Sequence, residues 1–396
     1  MMQISPETQL FIREHSSDDV RVLALQAKKY PDIDMPTAIT QIAGRKVAAE
    51  KIPSWWEIEK IWYPKHLSLE QCSSEITARY KARLLQGDSL TDLTGGFGID
   101  CSFLATGFKS ATYVERQEEL CEIAAHNFPV LNLNHINIKN EDGVTYLQVM
   151  SPVDSLFLDP ARRNEHGGKT VAISDCEPNV AELEELLLQK ANRVMIKLSP
   201  MLDLSLALKE LKQTQEVHIL SVNNECKELL ILLGQTSPAE ISIHCVNLFT
   251  KGTQKEQHFV FTREQEQCSE CTYTDSLETY LYEPNASLLK AGAFRSIAAA
   301  YPVRKLHPNS HLYTSDTFIE NFPGRIFRIV NQCSFNKKEV KENLADLKKA
   351  NVTVRNFPAT VAELRKRLHL TEGGDTYLFA STLNNGQKVI IRCEKV

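Results

Sequence analysis

Apolar and polar positions change their period along the chain, and the changes separate three kinds of region. Residues 1–86 carry apolar positions three and four apart, which predicts amphipathic helices over 20–30, 35–51 and 68–86, after a start at Ser5-Pro6. Residues 88–235 alternate short apolar runs with helical stretches, a pattern typical of a parallel sheet. The remaining chain has shorter elements, and from residue 326 it follows the order β-α-β-α-β-β.

Seven strands are predicted for the central sheet, at residues 89–93, 111–115, 136–138, 153–158, 193–198, 217–222 and 229–233. Helices fit between the first six, for example at 117–127, 179–190 and 202–211. Only the short turn around Asn223 separates the last two strands, so these should form an antiparallel hairpin. Runs at 241–249 and 258–261 predict a second hairpin that extends the same domain.

The C-terminal part begins after a polar stretch, 265–274, which is the predicted linker. An Ala-rich helix is predicted over 287–300, and further helices over 338–350 and 361–368, the last opened by a capping box of Thr360 and Glu363. The predicted organisation is a helical N-terminal region, a central α/β domain, a small α/β connecting domain and a final α+β domain, over residues 1–86, 87–264, 275–324 and 325–396.

A glycine-rich turn follows the first predicted strand, and an acidic residue lies at the end of each of the next three. The turn is Asp92-Leu93-Thr94-Gly95-Gly96-Phe97-Gly98-Ile99-Asp100. Glu115 ends the second strand, Asp142 follows the third and Asp159 ends the fourth. Because ligands of open α/β sheets bind at the carboxyl ends of the strands, the series predicts a binding site along that edge.

This ordered series resembles that of class I S-adenosylmethionine (SAM) methyltransferases, and nearly the whole chain is similar to bacterial methyltransferases that end in a THUMP-like domain. The resemblance implies a seven-stranded class I methyltransferase (Rossmann-like) sheet and SAM as the cofactor. The residues that carry it are Asp92, Thr94, Gly96, Gly98, Asp100, Glu115, Arg116, Asp142 and Asp159-Pro160-Ala161-Arg162-Arg163. Amino-group methyltransferases carry Asn/Asp-Pro-Pro-aromatic at the fourth strand, so this chain departs from their pattern there.

Cofactor contacts follow from the chemistry of these residue types. Glu115 has two oxygens for the two ribose hydroxyls, and Asp142 is placed to accept the adenine amino hydrogens. Gly96 and Gly98 let backbone amides approach the methionine carboxylate. Asp92 would brace this loop or bind the methionine ammonium through water. The resemblance adds three further cofactor-binding residues, Thr94, Asp100 and Arg116.

Catalytic candidates cluster after the fourth strand. Asp159 is placed to orient the acceptor or to take up its proton, and it also counts among the cofactor-binding residues. The planar donors of Arg162 and Arg163 suit phosphate or a purine carbonyl edge. Residues 163–175 form a long polar stretch that predicts a mobile lid, and residues 197–200 are expected to line the acceptor pocket.

Composition adds a charge asymmetry to this picture. Residues 295–396 carry 17 Lys and Arg against 9 Asp and Glu, whereas the rest of the chain carries 28 against 41. A basic C-terminal end on an acidic body predicts a polyanionic partner, which we take to be structured RNA such as tRNA or rRNA. The chain has no apolar run of membrane-spanning length and no second cysteine pair beside Cys268 and Cys271, so we expect a cytoplasmic protein without a membrane or metal partner.

Two further interpretations stay open beside an RNA methyltransferase. A catalytically inactive methyltransferase-fold RNA-binding protein would keep the fold and lose the activity, in line with the unusual Asp159-Pro160-Ala161-Arg162 run. A nucleotide-dependent oxidoreductase would also place an acid at the second strand. That class predicts Gly-x-Gly-x-x-Gly, and Cys101 stands at the third glycine position.

Overall fold

The structure, a computed structural model, describes residues 4–162, 172–236 and 238–396. Arg163 and most of the predicted lid lie outside these described residues. Contacts along the chain divide it into two compact units, one of Met1–Glu216 with Glu228–Pro238 and one of Val217–Lys227 with Ala239–Val396. Within the described ranges, every helix is too short or too polar to span a membrane.

The first unit begins with helices, as predicted. Ser5 caps the first of them, and its side chain accepts a hydrogen bond from the Thr8 amide. The single helix predicted over 68–86 is wrong: the chain leaves the helix after Gln71 and re-enters it at Glu75, because the Ser73 hydroxyl is held by buried charged groups. The predicted helix over 20–30 also stops early, at Leu25. The helices are α1 (Pro6–Glu14), α2 (Val20–Leu25), α3 (Met35–Lys51), α4 (Pro53–Trp56), α5 (His66–Gln71) and α6 (Glu75–Ala82).

Strands and helices then alternate through the central part of the chain, which confirms the predicted α/β class. The strands are β1 (Ser89–Asp92), β2 (Ser110–Glu115), β3 (Ile136–Asn140), β4 (Val153–Leu158), β5 (Ala161–Arg162), β6 (Cys176–Glu177), β7 (Ala191–Leu198), β8 (Thr214–Val222), β9 (Glu225–Gly234), β10 (Ser242–Leu248) and β11 (Glu256–Thr262). The helices among them are α7 (Ile99–Ala105), α8 (Glu118–Val130), α9 (Gly143–Val149), α10 (Val180–Lys190) and α11 (Leu204–Glu210).

The large sheet has, among the described residues, nine strands in the order β11-β10-β8-β9-β7-β4-β1-β2-β3. β3, β2, β1, β4 and β7 run parallel, and β9 is antiparallel to β7. The seven predicted strands are therefore present, and the predicted second hairpin adds β10 and β11. Asn223 and Asn224 join β8 to β9 with positive φ angles of 49° and 68°, the backbone that a two-residue hairpin turn requires.

The second unit contains a seven-stranded sheet in the order β13-β14-β12-β15-β18-β17-β16. From residue 263 onward its elements are α12 (Arg263–Cys268), β12 (Tyr280–Pro284), α13 (Ala286–Ala291), α14 (Ser296–Ala300), β13 (Arg304–Lys305), β14 (Tyr313–Ser315), β15 (Gly324–Ser334), α15 (Lys337–Leu344), β16 (Asn351–Val354), α16 (Val361–Leu368), β17 (Thr376–Thr382) and β18 (Lys388–Lys395). The order β-α-β-α-β-β predicted for its last part is confirmed.

Three predicted elements of this unit differ in extent. The predicted linker contains the end of α12, which a capping box of Thr262 and Gln265 starts. The predicted Ala-rich helix is interrupted where Gly292 adopts a positive φ of 78°. The helix predicted over 338–350 ends at Leu344. The sheet itself runs through both predicted C-terminal domains, because Leu281 of β12 pairs with Phe327 of β15 and both lie in one apolar core.

Candidate active site

Four carboxylates lie in a row along one edge of the large sheet. Asp92 and Glu115 are the last residues of β1 and β2, Asp142 caps α9 after β3, and Asp159 directly follows β4. These four strands are parallel neighbours in the order β4-β1-β2-β3. Their carboxyl ends therefore meet at one edge, which brings together the acidic residues that the sequence singled out.

The glycine turn between β1 and α7 combines tight approach with open space. A Cβ atom added at Gly95 would lie 2.2 Å from the Tyr113 ring, so this position has no room for a side chain. Gly96 adopts a positive φ of 55°, yet a Cβ atom there would find its nearest neighbour only at 3.9 Å. The Tyr113 hydroxyl donates to the Gly96 carbonyl at 2.5 Å. Tyr113 therefore supports the turn on one side, and the space beside the Gly96 Cα is open, so a ligand can approach the backbone there.

Glu115 ties β2 to this turn. One carboxylate oxygen accepts a hydrogen bond from the Gly96 amide at 2.8 Å, and the other accepts one from the Gln117 amide, also at 2.8 Å. The side chain is buried. A carboxylate offers about four acceptor positions, so both oxygens keep capacity for a ligand hydroxyl after these two bonds.

Asp92 is a buried carboxylate with one oxygen unsatisfied. Oδ1 accepts from the Thr94 amide at 3.0 Å, whereas Oδ2 has no hydrogen-bond partner. Burial raises the pKa of Asp92 well above its ordinary value, and the Thr94 amide only partly opposes this. A buried anion without a counter-charge is costly, so the geometry favours a cationic ligand group beside Oδ2.

Asp142 and Arg116 lie at the exposed rim. Oδ1 of Asp142 caps α9 by accepting from the amides of Val144 and Thr145, both at 3.0 Å. Arg116 lies 3.8 Å from Glu177, and both of these side chains are exposed. The structure thus gives Asp142 a helix-capping role that the sequence did not predict, alongside its place in the row of carboxylates.

Asp159 is held at the tip of β4 through both its backbone and its side chain. Its amide donates to the Thr94 hydroxyl at 2.6 Å, which links β4 to the glycine turn. Oδ2 lies 2.5 Å from the Lys197 ammonium at the end of β7. Burial raises the pKa of Asp159, and the Lys197 ammonium acts against that rise. The side chain remains 35% exposed, so it faces the open side of the site.

Behind Asp159 lies a buried network of charges, which sequence reasoning mostly missed. Asp100 receives the ammonium of Lys81 at 2.8 Å and that of Lys197 at 3.2 Å, and Lys81 also contacts Glu228 at 2.7 Å. Burial would raise the pKa of Asp100, but the Lys197 and Lys81 ammoniums outweigh it and hold that pKa well below its usual range. Asp100, predicted to bind the cofactor, therefore has its carboxylate engaged by two lysines.

One sequence signal for this network exists. Lys81 follows Thr77 and Ala78 by four and three residues, so it shares their helix face, and all three are buried. A lysine on an apolar helix face needs a buried partner. That partner, Asp100, lies on another helix and could not be located from sequence.

The N-terminal helices form part of the floor of the glycine turn. Trp55 of α4 and Tyr63 pack on Phe97 of the turn, with ring centroids 5.2 Å and 6.3 Å apart. Trp55 is buried in this contact, with 2% of its surface exposed. Burial raises the pKa of Tyr63 to about 12, with Arg45 acting in the opposite direction.

The structure does not test the predicted roles of Arg162 and Arg163. The backbone of Arg162 pairs with Cys176 between the short strands β5 and β6. Arg163 lies outside the described residues. Their predicted role in acceptor binding therefore stays a prediction.

Comparison with known proteins supplies a full-length relative. A Porphyromonas gingivalis W83 protein described as a "putative methyltransferase" shares 33% sequence identity over 100% of both chains, with a TM-score of 0.87. The chain belongs to the same family. Family models described as a ferredoxin-like domain and as THUMP domain-like match residues 280–323 and 324–395. The resemblance to bacterial class I methyltransferases with a C-terminal THUMP-like domain is thereby confirmed.

More distant structures add no weight. A Streptococcus mutans "putative methyltransferase" in complex with SAH shares 14% identity over 40% of this chain and 96% of its own, at a TM-score of 0.30. M. capricolum TrmK in complex with S-adenosyl-homocysteine shares 12% over 41% and 68%, at 0.32. No curated protein matches the chain.

Proposed function

We propose that this protein transfers a methyl group from SAM to RNA. The observation that carries the proposal is the row of carboxylates Asp92, Glu115, Asp142 and Asp159 along one edge of the sheet, beside a glycine turn that is open at Gly96. Membership of a family whose relative is described as a "putative methyltransferase" supports the same reaction.

The residues present fit SAM. Glu115 has acceptor capacity for the ribose hydroxyls, and Asp142 for the adenine amino group. Asp92 has an unsatisfied buried oxygen, which suits the methionine ammonium. Space in front of Gly96 suits the methionine carboxylate near the start of α7. SAM held by these residues would supply the methyl group, with its sulfur as the leaving group.

The chain's own contribution is position and proton acceptance. Holding donor and acceptor at attack distance provides much of the rate in such a displacement. Asp159 projects into the open side of the site from a backbone that is fixed to Thr94. In our proposal its carboxylate orients the acceptor and receives the proton that the acceptor loses.

RNA is the acceptor that the charge distribution favours. The final domain is basic within an otherwise acidic chain, and its exposed lysines include Lys337, Lys338, Lys348 and Lys349. Its match to a THUMP domain-like family model points the same way. The predicted domain organisation is part of this proposal: a helical region, a methyltransferase domain, a connecting domain and a THUMP-like domain, acting in the cytoplasm.

Mass spectrometry of RNA nucleosides tests the proposal. Cells that lack the protein should lose one methylated nucleoside, and the wild-type chain should restore it. The Asp159→Ala variant, once shown to be folded, should not restore this nucleoside. Unchanged nucleosides in all strains, combined with salt-dependent RNA binding by the purified chain, would support the inactive RNA-binding alternative instead.

A further inference from the structure

A line of alternating charges runs from the N-terminal helices to the open side of the candidate site. Lys81 of α6 contacts Glu228 of β9 and Asp100 of α7. Asp100 in turn contacts Lys197 of β7, and Lys197 contacts Asp159. Lys81 is fully buried, Asp100 and Lys197 are 10% and 9% exposed, and Asp159 is 35% exposed. The line therefore ends in a carboxylate that a ligand can reach.

Besides Asp159, the Lys197 ammonium contacts two further groups, which hold it in place. Its ammonium lies 3.0 Å from the Ser73 hydroxyl and 3.2 Å from Oδ2 of Asp100. Ser73 also donates to Asp100 at 2.7 Å and receives the Lys81 ammonium at 2.7 Å. Burial alone would lower the pKa of Lys197, but Asp100, Asp159 and Glu228 raise it well above the ordinary value. Lys197 is thus a fixed cation.

We infer that Lys197 is the positioning residue of the acceptor site. Its ammonium, anchored by Asp100 and Ser73, holds the Asp159 carboxylate at the tip of β4 and keeps it ionised. The inference rests on the proposed function, because only an ionised Asp159 is ready to receive the acceptor's proton. It also gives the N-terminal helical region a task, since Ser73 and Lys81 come from that region and complete the site.

Replacing Lys197 should have a consequence that depends on charge alone. Among the residues that the structure describes, the other charged groups that act on Asp159 are Asp100 of α7, Lys81 of α6 and Asp92 of β1. Without the Lys197 ammonium, burial and the neighbouring carboxylates both favour the neutral form of Asp159. Asp159 should then become protonated near neutral pH. Binding of cationic SAM would then expel that proton, whereas the neutral thioether product SAH would expel less of it.

Calorimetry in two buffers of different ionisation enthalpy at pH 7 measures this release directly. Lys197→Met should release up to about one more proton per SAM bound than the wild type does. Lys197→Arg keeps the positive charge and should behave as the wild type. The double variant Lys197→Met with Asp159→Asn should lose the extra release, which assigns the proton to Asp159. Lys197→Gln is a second neutral variant in case Lys197→Met does not fold.

The outcomes separate this inference from the proposed function. Equal proton release by wild type and by both neutral variants, with SAM still bound, would overturn the positioning role and leave SAM binding intact. Extra release that persists in the double variant would also overturn it. A wild-type chain that binds no SAM would remove the proposed function and this inference together.

Discussion

The indole ring of Trp55 meets the ring of Phe97 edge to face, with the two centroids 5.2 Å apart. Phe97 belongs to the glycine turn, and Trp55 lies more than 40 residues earlier in a short helix of the N-terminal region. The two rings share one apolar core with Ile52, Tyr63 and Phe103. The helical region therefore packs directly against the glycine turn of the candidate cofactor site.

Trp55→Ala should lower the free energy of unfolding by about 3–5 kcal/mol, because a buried aromatic side chain is removed from this core. Its neighbour Trp56 is 43% exposed and has the Arg45 guanidinium 5.7 Å from its ring centroid, so Trp56→Ala should cost about 1 kcal/mol or less. Urea unfolding of the two variants measures the difference. Equal losses would mean that the core under the glycine turn contributes little to stability.

Glu115→Ala should weaken SAM binding by about 1.5–3 kcal/mol, because a charge-assisted contact to the ribose is lost. The structure adds a second reason, since Glu115 also holds the Gly96 amide in place. Glu118→Gln changes an exposed carboxylate at the first residue of α8 and serves as the control. Calorimetry on folded variants provides the measurement, and an unchanged affinity in Glu115→Ala would remove Glu115 from the site.

Much of the fold could be predicted because local sequence patterns indicate most of the strands and helices. Val153–Leu158 and Met35–Lys51 were predicted with the bounds that the structure has, since an apolar run or a helical period decides them. The break between Gln71 and Glu75 could not be predicted. It depends on Ser73 binding Asp100 and Lys81, and such contacts depend on tertiary structure, which local patterns do not report.

The candidate site shows the same division. The place of Asp92, Glu115 and Asp159 at one edge of the sheet could be predicted because strand ends are visible in the sequence. Residues 197–200 were expected at the acceptor pocket, but the ion pair of Lys197 with Asp159 was not foreseen. Pairing of side chains from different elements requires the register of the whole sheet, which a single sequence does not supply.

Asp92→Asn should stabilise the ligand-free protein at neutral pH. The folded-state pKa of Asp92 is raised, so the folded protein binds this proton more tightly than the unfolded chain does. Stability contributed by Asp92 is therefore full below about pH 4 and is lost as the pH rises through the folded-state pKa. Removing the charge should give about 1 kcal/mol at pH 7 and nothing below pH 4.

Asp100→Asn is the matched contrast, because the pKa of Asp100 is shifted in the opposite direction. Its stabilising contribution is present above about pH 4 and is lost as the pH falls towards the folded-state pKa. The same substitution should therefore destabilise the protein at pH 7, by about 3–5 kcal/mol, since it breaks a buried ion pair. Thermal unfolding between pH 3 and pH 8 checks both variants, and shifts of the same sign would contradict the prediction.

RNA binding should depend on the exposed lysines of the final domain. Truncation is a poor test of this, because β12 pairs with β15 and removal of residues 325–396 would expose the shared core. The double variant Lys348→Gln with Lys349→Gln keeps the sheet and removes two exposed positive charges. Lys28→Gln with Lys29→Gln removes an exposed adjacent pair from the N-terminal region and provides the control.

Each lost phosphate contact should reduce the slope of log affinity against log salt by about 0.7–0.9. Fluorescence anisotropy with total tRNA over a salt series measures the slope. A flatter slope in the Lys348 and Lys349 variant alone would place RNA on the final domain, whereas equal slopes in the wild type and both variants would exclude this lysine pair from the RNA contact.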